Sequence, residues 1–490
     1  MMVHNRDDLL SKLRALLGPK GFSTDPDVLA PRLTDWRGRY HGQAAALLSP
    51  GSAAEVAAIV ALCAGAGAPL VPQGGNTSMV GGATPDASGA ALLLSTHRLN
   101  RIRSLDAAAG IAVCEAGVIL ADLHEAALAV GRRFPLTLGA RGSATIGGLV
   151  STNAGGTQVL RFGPMRSLVL GLEAVLPDGS LFEGLTALKK DNRGYDLRQL
   201  LVGAEGTLGI VTAASLRLVP AIGERAVAWV GLDDAPKAMA LLHHLEATMG
   251  EAIESFELVP RSALDLVLAH VPGTRAPLAA PAAWNVLIEA VSPMSAPGPE
   301  PLLYEGLRAA LETGIAGDAA IATSEAQAEA FWRLRDSISE AEKKDGPAAK
   351  HDISVAVEDM ARFMTDAAAA VERRFPGTRV NAFGHLGDGN VHFNVRAPVD
   401  ALPAWVEDEG EAVSRFVHDL VTAAGGSISA EHGIGQMKRA ELARLADPAR
   451  LHALRSIKQA LDPGNIMNPG KLVPPEFPAQ ESLAQGHVHQ

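Results

Sequence analysis

The chain has 490 residues, 47% hydrophobic and 20% charged, enough for roughly two to four domains with substantial cores. Its 43 basic and 54 acidic residues leave a net charge of -11, and no basic cluster is interleaved with aromatic residues, which argues against a nucleic-acid partner held by phosphate neutralisation. The uncharged stretch 56–72 is rich in Ala and Gly and interrupted by Pro69 and Pro72, so no transmembrane segment is expected.

At the N-terminus, MMVHNRDDLLSKLRALLG carries charges through its only apolar stripe and lacks the uninterrupted core of a signal peptide. Cys63 and Cys114 each lie in an apolar stretch, which predicts buried free thiols in a reducing compartment and a cytoplasmic protein. Between about 49 and 218, short β-type runs alternate with Gly-rich turns: ALLLS (91–95), IAVCEAG (111–117) and GIVTAASLRLV (209–219). ADLHEAALAVG spaces its apolar residues as a helix and stops at Gly131. After Pro220, the strands AVAWVGLD, AIESFELV and WNVLIEAV alternate with the helices APKAMALLHHLEATMG and LLYEGLRAALETG, and PMSAPGPEP (293–301) reads as a loop. Such units predict an α+β domain with helices on one side of an antiparallel sheet. From Ala401 the pattern is mainly helical, clearest over 441–461, and the chain closes with DPGNIMNPGKL and a polar tail, 474–490.

Glycine is dense in GGNTSMVGG and in GARGSATIGGLVSTNAGG. One such cluster is ordinary in the turns of a sheet protein, but two in one domain point to backbone amides closing on a large, phosphate-bearing ligand. A nicotinamide fingerprint is not the explanation, because Leu70 stands where the third glycine after Gly65-Ala66-Gly67 should be. PLVPQGGNTSMVGGATP (69–85) instead sets a Gly-Gly pair beside Asn76, Thr77 and Ser78. Amides and short hydroxyls there can surround a pyrophosphate without a helix dipole or a lysine.

This segment resembles the pyrophosphate loop of the vanillyl-alcohol-oxidase type of FAD-binding domain. With LGARGSATIGGLVSTNAGGTQVLRFGPMRSLVLGLEAVLPDG (138–179) and KKDNRGYDLRQLLVGAEGTLGIVT (189–212), the likeness extends to the FAD-dependent D-2-hydroxy-acid dehydrogenases, a group that includes D-lactate and D-2-hydroxyglutarate dehydrogenases. It spans about residues 40–472. The resemblance implies an α+β protein with an FAD-binding domain over 1–219, a substrate or cap domain with an antiparallel sheet over 220–425, and a C-terminal helical segment, 426–473, packing back on the FAD domain. The implied cofactor is noncovalent FAD, since the pyrophosphate loop holds no histidine that could attach it. Its implied contacts are Pro72, Gln73, Gly74, Gly75, Asn76, Thr77 and Ser78 at the pyrophosphate, and elsewhere Gly139, Ala140, Gly142, Ser143, Thr145, Gly148, Ser151, Thr152, Asn153, Gly155, Glu205, Gly206, Gly209 and Ile210. Asn468 is expected to return to the flavin side.

FGHLGDGNVHFNV (383–395) sets His385 and His392 seven residues apart around a Gly-Asp-Gly turn. In an unbroken strand they would face opposite sides, so they converge only if 387–389 bends or reverses the chain. SAEHGIGQMKR (429–439) offers Glu431 beside His432. Spacing alone leaves a metal site and a polar strand end both open, because the chain has 15 histidines and no H-x-x-x-H pair. The resemblance implies that His385, His392 and Glu431 hold a divalent ion, zinc first with manganese or iron as alternatives, that His432 is the catalytic base and a substrate contact, and that Asn390 lies near the substrate. In WRLRDSISEAEKKDGPAAKHDISV (332–355) a solvated helix face is the plain reading of the charges. The resemblance instead makes Arg335, Ser339 and Lys350 the substrate-carboxylate contacts, with Ser339 in place of a threonine.

The implied reaction is oxidation of a D-2-hydroxy acid, D-2-hydroxyglutarate first, to the 2-oxo acid, with the hydroxyl proton going to His432 and the hydride to flavin N5. A second cationic contact favours a diacid over D-lactate, D-malate or glycolate, which stay as alternatives. A flavin-free metallohydrolase on the same triad would leave both glycine clusters unexplained. A noncatalytic flavin-binding subunit is a third reading. The electron acceptor, such as an electron-transfer flavoprotein or a quinone, and the oligomeric state, a homodimer included, are not legible.

Overall fold

Short strands and tight turns fill the N-terminal half of the computed structural model, which describes residues 2–402 and 404–475, so that almost all of the expected tail lies outside the described residues. One sheet orders Phe22–Ser23, Leu47–Leu48, Leu92–Ser95 and Leu70–Gln73, the last three running parallel. A second, antiparallel sheet orders Ile102–Asp106, Ile111–Glu115, Ile210–Arg217, Val169–Val175 and Leu181–Gly184. The apolar runs in this half are therefore strands, and Leu92–Ser95 is buried at every residue, as in a strand covered on both faces. Gly65 to Gly67 is no nucleotide turn: it ends the helix Ala53–Ala66, with Gly67 as a left-handed cap. Both cysteines are free and buried, and burial pushes their thiols up to about 12. Among the described residues no helix is long and apolar enough to cross a membrane.

Seven strands between 222 and 396 form an antiparallel sheet in the order Asp318–Ile321, Ile222–Leu232, Trp284–Pro293, Ile253–Pro260, Arg379–His385, Asn390–Arg396, Ala348–Ser354. Helices cover both of its faces, not one as the sequence suggested. Pro236–Met249, Glu300–Glu312, Met360–Arg374 and Gly410–Ala423 close one face around Phe256, Ile288 and Phe393. Arg261–His270, Glu325–Asp336 and Ile338–Lys344 close part of the other around Trp229 and Phe383. The reason is visible in the central strand Ile253–Pro260, where every residue is buried and no polar alternation marks a solvent side. The uncovered part of the second face carries Glu257, His385, His392 and Asp352, which cross-strand register places together.

Polar ties fasten this half to the first. Glu254, almost fully buried, pairs with Arg133 and Arg161. Glu205 accepts from the backbone N–H groups of Ile434 and Gly435, and Lys458 donates to the carbonyl of Thr207. The helix expected over 441–461 is two helices, Arg439–Leu445 and Pro448–Leu461. Asp447 caps the second, and Pro448 suits its first turn but cannot extend the helix before it.

His351 lies under the helix Gly410–Ala423, with Nδ1 2.8 Å from the Phe393 carbonyl and Nε2 2.9 Å from Ser414 Oγ. Burial, helped by the neighbouring His418, depresses it from 6.5 to about 3. As pH falls from 6.5 towards 3 the unfolded chain takes a proton that the folded chain refuses, so this group's share of stability is complete above 6.5 and lost on acidification. His351→Leu should cost about 1–3 kcal/mol at pH 7 by stranding its partners. Denaturant melts across the acid range should then show a shallower loss of stability for the variant than for wild type; parallel curves would contradict the assignment.

Candidate active site

The turn at 386–389 is what aligns the two histidines. Asp388 and Gly389 both donate backbone N–H groups to the His385 carbonyl, Asp388 Oδ1 accepts from the Asn390 N–H, and Gly389 takes a left-handed φ of +78° that favours glycine. The resulting hairpin pairs His385 with Asn390 and Phe383 with His392, so both imidazoles fall on one sheet face with ring centroids 5.6 Å apart. Glu431, from the irregular segment between Gly410–Ala423 and Arg439–Leu445, joins them: one ligand atom from each of the three lies within 4.8 Å of the others.

Two buried carboxylates that the sequence did not single out organise this cluster. Asp352 accepts from the backbone N–H groups of Glu431 and His432 and from the side-chain amide of Asn390, each at 2.9 Å, and lies 3.4 Å from His432 Nδ1. Burial opposes its ionisation, but the charge of Lys438 and the hydrogen bonds it accepts from backbone N–H groups hold it below the usual carboxylate range. Glu257 lies 2.5 Å from His385 Nδ1 and accepts from Arg335 Nε at 2.7 Å. There too burial is outweighed, by Arg335 and His385, and the carboxyl falls to about 2. At Glu431 burial wins: His385 and Arg335 offset it only in part, Asp352 and Asp388 add to it, and the carboxyl rises to about 7. Burial lowers His432 to about 4, leaving a neutral imidazole able to accept a proton.

Glu431 and His432 also form part of the wall of a cavity of about 630 Å³, a size suited to a large small-molecule ligand. The rest of the wall is largely glycine loop. It contains every expected FAD contact from Pro72 to Ser78, with Gly139, Ala140, Gly142, Ser143, Thr145, Gly148, Ser151, Thr152, Gly155, Glu205, Gly206, Gly209 and Ile210. Backbone approach is close enough that a Cβ on Gly75 would collide with the Ser143 carbonyl. Gln73 Oε1, Thr96 Oγ1 and Thr145 Oγ1 are buried without a partner among the described residues, which fits polar atoms reserved for a bound molecule. A nucleotide-bearing cofactor therefore fits these residues.

Residues 223–472 match the family described as FAD linked oxidases, C-terminal domain, and residues 44–184 match the FAD binding domain. The chain belongs to the FAD-linked oxidase family. Curated relatives of this FAD-linked oxidoreductase include proteins named D-2-hydroxyglutarate dehydrogenase: a mitochondrial one from Arabidopsis thaliana, 37% identical over 95% of this chain and 81% of that protein, and one from Xanthomonas citri pv. viticola, 36% identical over 92% and 93%. A solved p-cresol methylhydroxylase with substrate bound has a TM-score of 0.74 at 16% identity over 97% of this chain and 98% of its own. A 4-ethylphenol oxidase from Gulosibacter chungangensis scores 0.68 at 18% over 96% and 98%. At such identities the likeness carries the fold, the vanillyl-alcohol-oxidase type.

Other expected site residues sit differently. Asn153 caps the helix Ile146–Thr152 and accepts from the Arg166 N–H; it lines a neighbouring cavity rather than the glycine-walled one. Asn468 does return to this region, but as a buried tie donating to the carbonyls of Gly82 and Glu205, and it is not part of the cavity wall. Arg335 is buried against Glu257, and Lys350, half-buried within the strand Ala348–Ser354, lies 3.5 Å from Glu342. Glu342 is fully buried and also takes the side-chain amides of Asn381 and Asn394. Ser339 is exposed on the helix Ile338–Lys344, and no side-chain hydrogen bond joins it to Arg335 or Lys350. Asn390 spends its amide N–H groups on Asp352 and Ile353 while its buried Oδ1 has no partner among the described residues. For Glu257, one signal was present in the sequence: a carboxylate inside the apolar strand AIESFELV must be paired if it is buried. For Asp352 it was alternation, which puts it on the face of Lys350.

Gly75→Ala should force the two glycine loops apart and leave the purified protein with at least about tenfold weaker retention of FAD, the scale of overpacking by 1–3 kcal/mol. Flavin absorbance per polypeptide after dialysis checks this; full retention would contradict the close approach.

Proposed function

We propose that this oxidoreductase oxidises a D-2-hydroxy acid, D-2-hydroxyglutarate foremost, using noncovalent FAD and a divalent ion, zinc by its donor set, held by His385, His392 and Glu431. The supporting observation is that Glu431 belongs both to this triad and, with His432, to the wall of the glycine-lined cavity. The relatives named D-2-hydroxyglutarate dehydrogenase support the substrate.

When bound, FAD supplies the two-electron acceptor and the ion supplies the charge that lowers the hydroxyl pKa. The chain's own residues orient the substrate and move the proton. Two imidazoles and one carboxylate leave coordination positions for substrate oxygens. His432, kept neutral by burial and turned through Nδ1 towards Asp352, offers Nε2 to the hydroxyl proton. Asn390 contributes its unpaired Oδ1 as an acceptor. Arg335 spends only Nε on Glu257 among the described residues, so its outer N–H groups serve the distal carboxylate together with the partly exposed Lys350. A monoacid such as D-lactate leaves those donors unmatched. Two buried thiols suit a reducing compartment such as the cytoplasm, although the Arabidopsis thaliana relative is named mitochondrial.

Anaerobic D-2-hydroxyglutarate should bleach the flavin of the purified protein, and chelator-treated protein should not bleach. Colourless protein would sink the flavin reading, and chelator-insensitive bleaching the metal. Lys350→Ala should lower kcat/KM for D-2-hydroxyglutarate about 10- to 100-fold, the worth of one charged hydrogen bond, and change D-lactate turnover far less. Equal losses on both acids would remove the case for the diacid.

A further inference from the structure

Glu257 is fully buried in the central strand Ile253–Pro260, and register pairs it directly with His385 on the next strand. Its oxygens are divided: Oε1 lies 2.5 Å from His385 Nδ1, and Oε2 accepts from Arg335 Nε at 2.7 Å. His392, the other imidazole of the triad, has no side-chain hydrogen bond among the described residues and rests on Phe383, ring centroids 5.1 Å apart. Only one of the two imidazoles is therefore anchored by a carboxylate.

We infer that Glu257 is a positioning residue which fixes the tautomer and orientation of His385, so that Nδ1–H is donated to Glu257 and Nε2 is the atom presented to the ion. An imidazole has one proton to place when neutral, and a full carboxylate at Nδ1 decides where it goes. The same carboxylate grips Arg335, so the imidazole at the metal and the cation assigned to the distal carboxylate are set from one point. This inference rests on the proposed metal reading. The plainer alternative is that Glu257 merely neutralises two buried cationic groups. The two differ for Glu257→Gln, which keeps size and one acceptor. Its carboxamide cannot accept from both His385 and Arg335, because one of its ends carries N–H groups. If those face His385, the imidazole proton must move to Nε2 and block coordination.

The test uses FAD-loaded, metal-stripped full-length protein titrated with Zn2+ against a chromophoric chelator, without substrate. Glu257→Gln should bind Zn2+ about 10- to 100-fold more weakly than wild type. Arg335→Gln, which leaves the Glu257–His385 contact in place, should stay within about threefold of wild type, although it disturbs the same charge balance. Flavin retention and a cooperative melt certify folding. A folded Glu257→Gln protein with wild-type zinc affinity would overturn this inference alone. Wild-type protein that takes up no zinc would overturn the metal reading and this inference with it. Should Glu257→Gln not fold, 15N-histidine spectra of zinc-loaded wild type, assigned with His385→Gln, decide: Nδ1–H with zinc on Nε2 is expected, and zinc on Nδ1 would refute the inference.

Discussion

The carboxylate of Asp352 is the constraint on which the site depends. The segment 424–438 meets the large sheet through a single β-bridge, Ser427 to Ser354, yet it carries Glu431 and His432, so more than regular secondary structure must fix it. Asp352 does so by accepting both of their backbone N–H groups while reaching Asn390 of the hairpin. Desolvating an ion costs several kcal/mol, and only a full set of donors repays it. Asp352 has that set, and Lys438, buried at the end of the same segment, adds its charge while donating to the carbonyls of Ile428 and Asp352. Chain positions about 80 residues apart are thereby held in one geometry.

Glu205 performs the matching task on the cofactor side. It belongs to a glycine loop of the first half, and its carboxylate takes the N–H groups of Ile434 and Gly435, immediately beyond His432. The Glu431–His432 segment is thus gripped on one side by a strand of the large sheet and on the other by the cofactor loops. Both grips are carboxylate to backbone amide. Such contacts fix position without depending on the rotamers of long side chains, which suits residues that must meet a ligand within a few tenths of an ångström.

Legibility from sequence followed the range of the interaction. The His385–His392 hairpin was readable because a period of two and a Gly-Asp-Gly turn are local. The glycine loops were readable because close approach leaves a compositional trace at Gly74 and Gly75. Convergence of Glu431 with the hairpin had no local signal and entered only through family resemblance. Asp352 and Glu257 look like ordinary strand residues, and only three-dimensional register reveals what they face. The one-sided sheet and the unbroken helix over 441–461 failed for physical reasons: strands buried on both faces show no alternation, and a capping Asp447 before Pro448 outweighs an otherwise continuous helical pattern. Asn153 and Asn468 carry structural work that the motif does not announce, the one as a helix cap and the other as a backbone tie.

Hydride transfer from a substrate carbon requires near-contact geometry, roughly 3–3.5 Å between reacting atoms, so the substrate's anchor and the cofactor's cradle must share a boundary. In the proposed function, Gly155 and Glu431 form that boundary. A Cβ on Gly155 would stand 3.2 Å from Glu431 Oε1, so the cofactor loop and the triad carboxylate already touch with no side chain between them. Neither half of the chain could build this boundary alone: the first contributes glycine backbone, the second a carboxylate on an irregular segment. The buried ion pairs of Glu254 with Arg133 and Arg161 then have a reason to be ionic and enclosed, and the backbone N–H groups beyond His432 add hydrogen bonds to Glu205. Apolar packing would hold the halves together over a range of offsets. Paired charges out of water hold them at one, because any slip exposes an uncompensated ion.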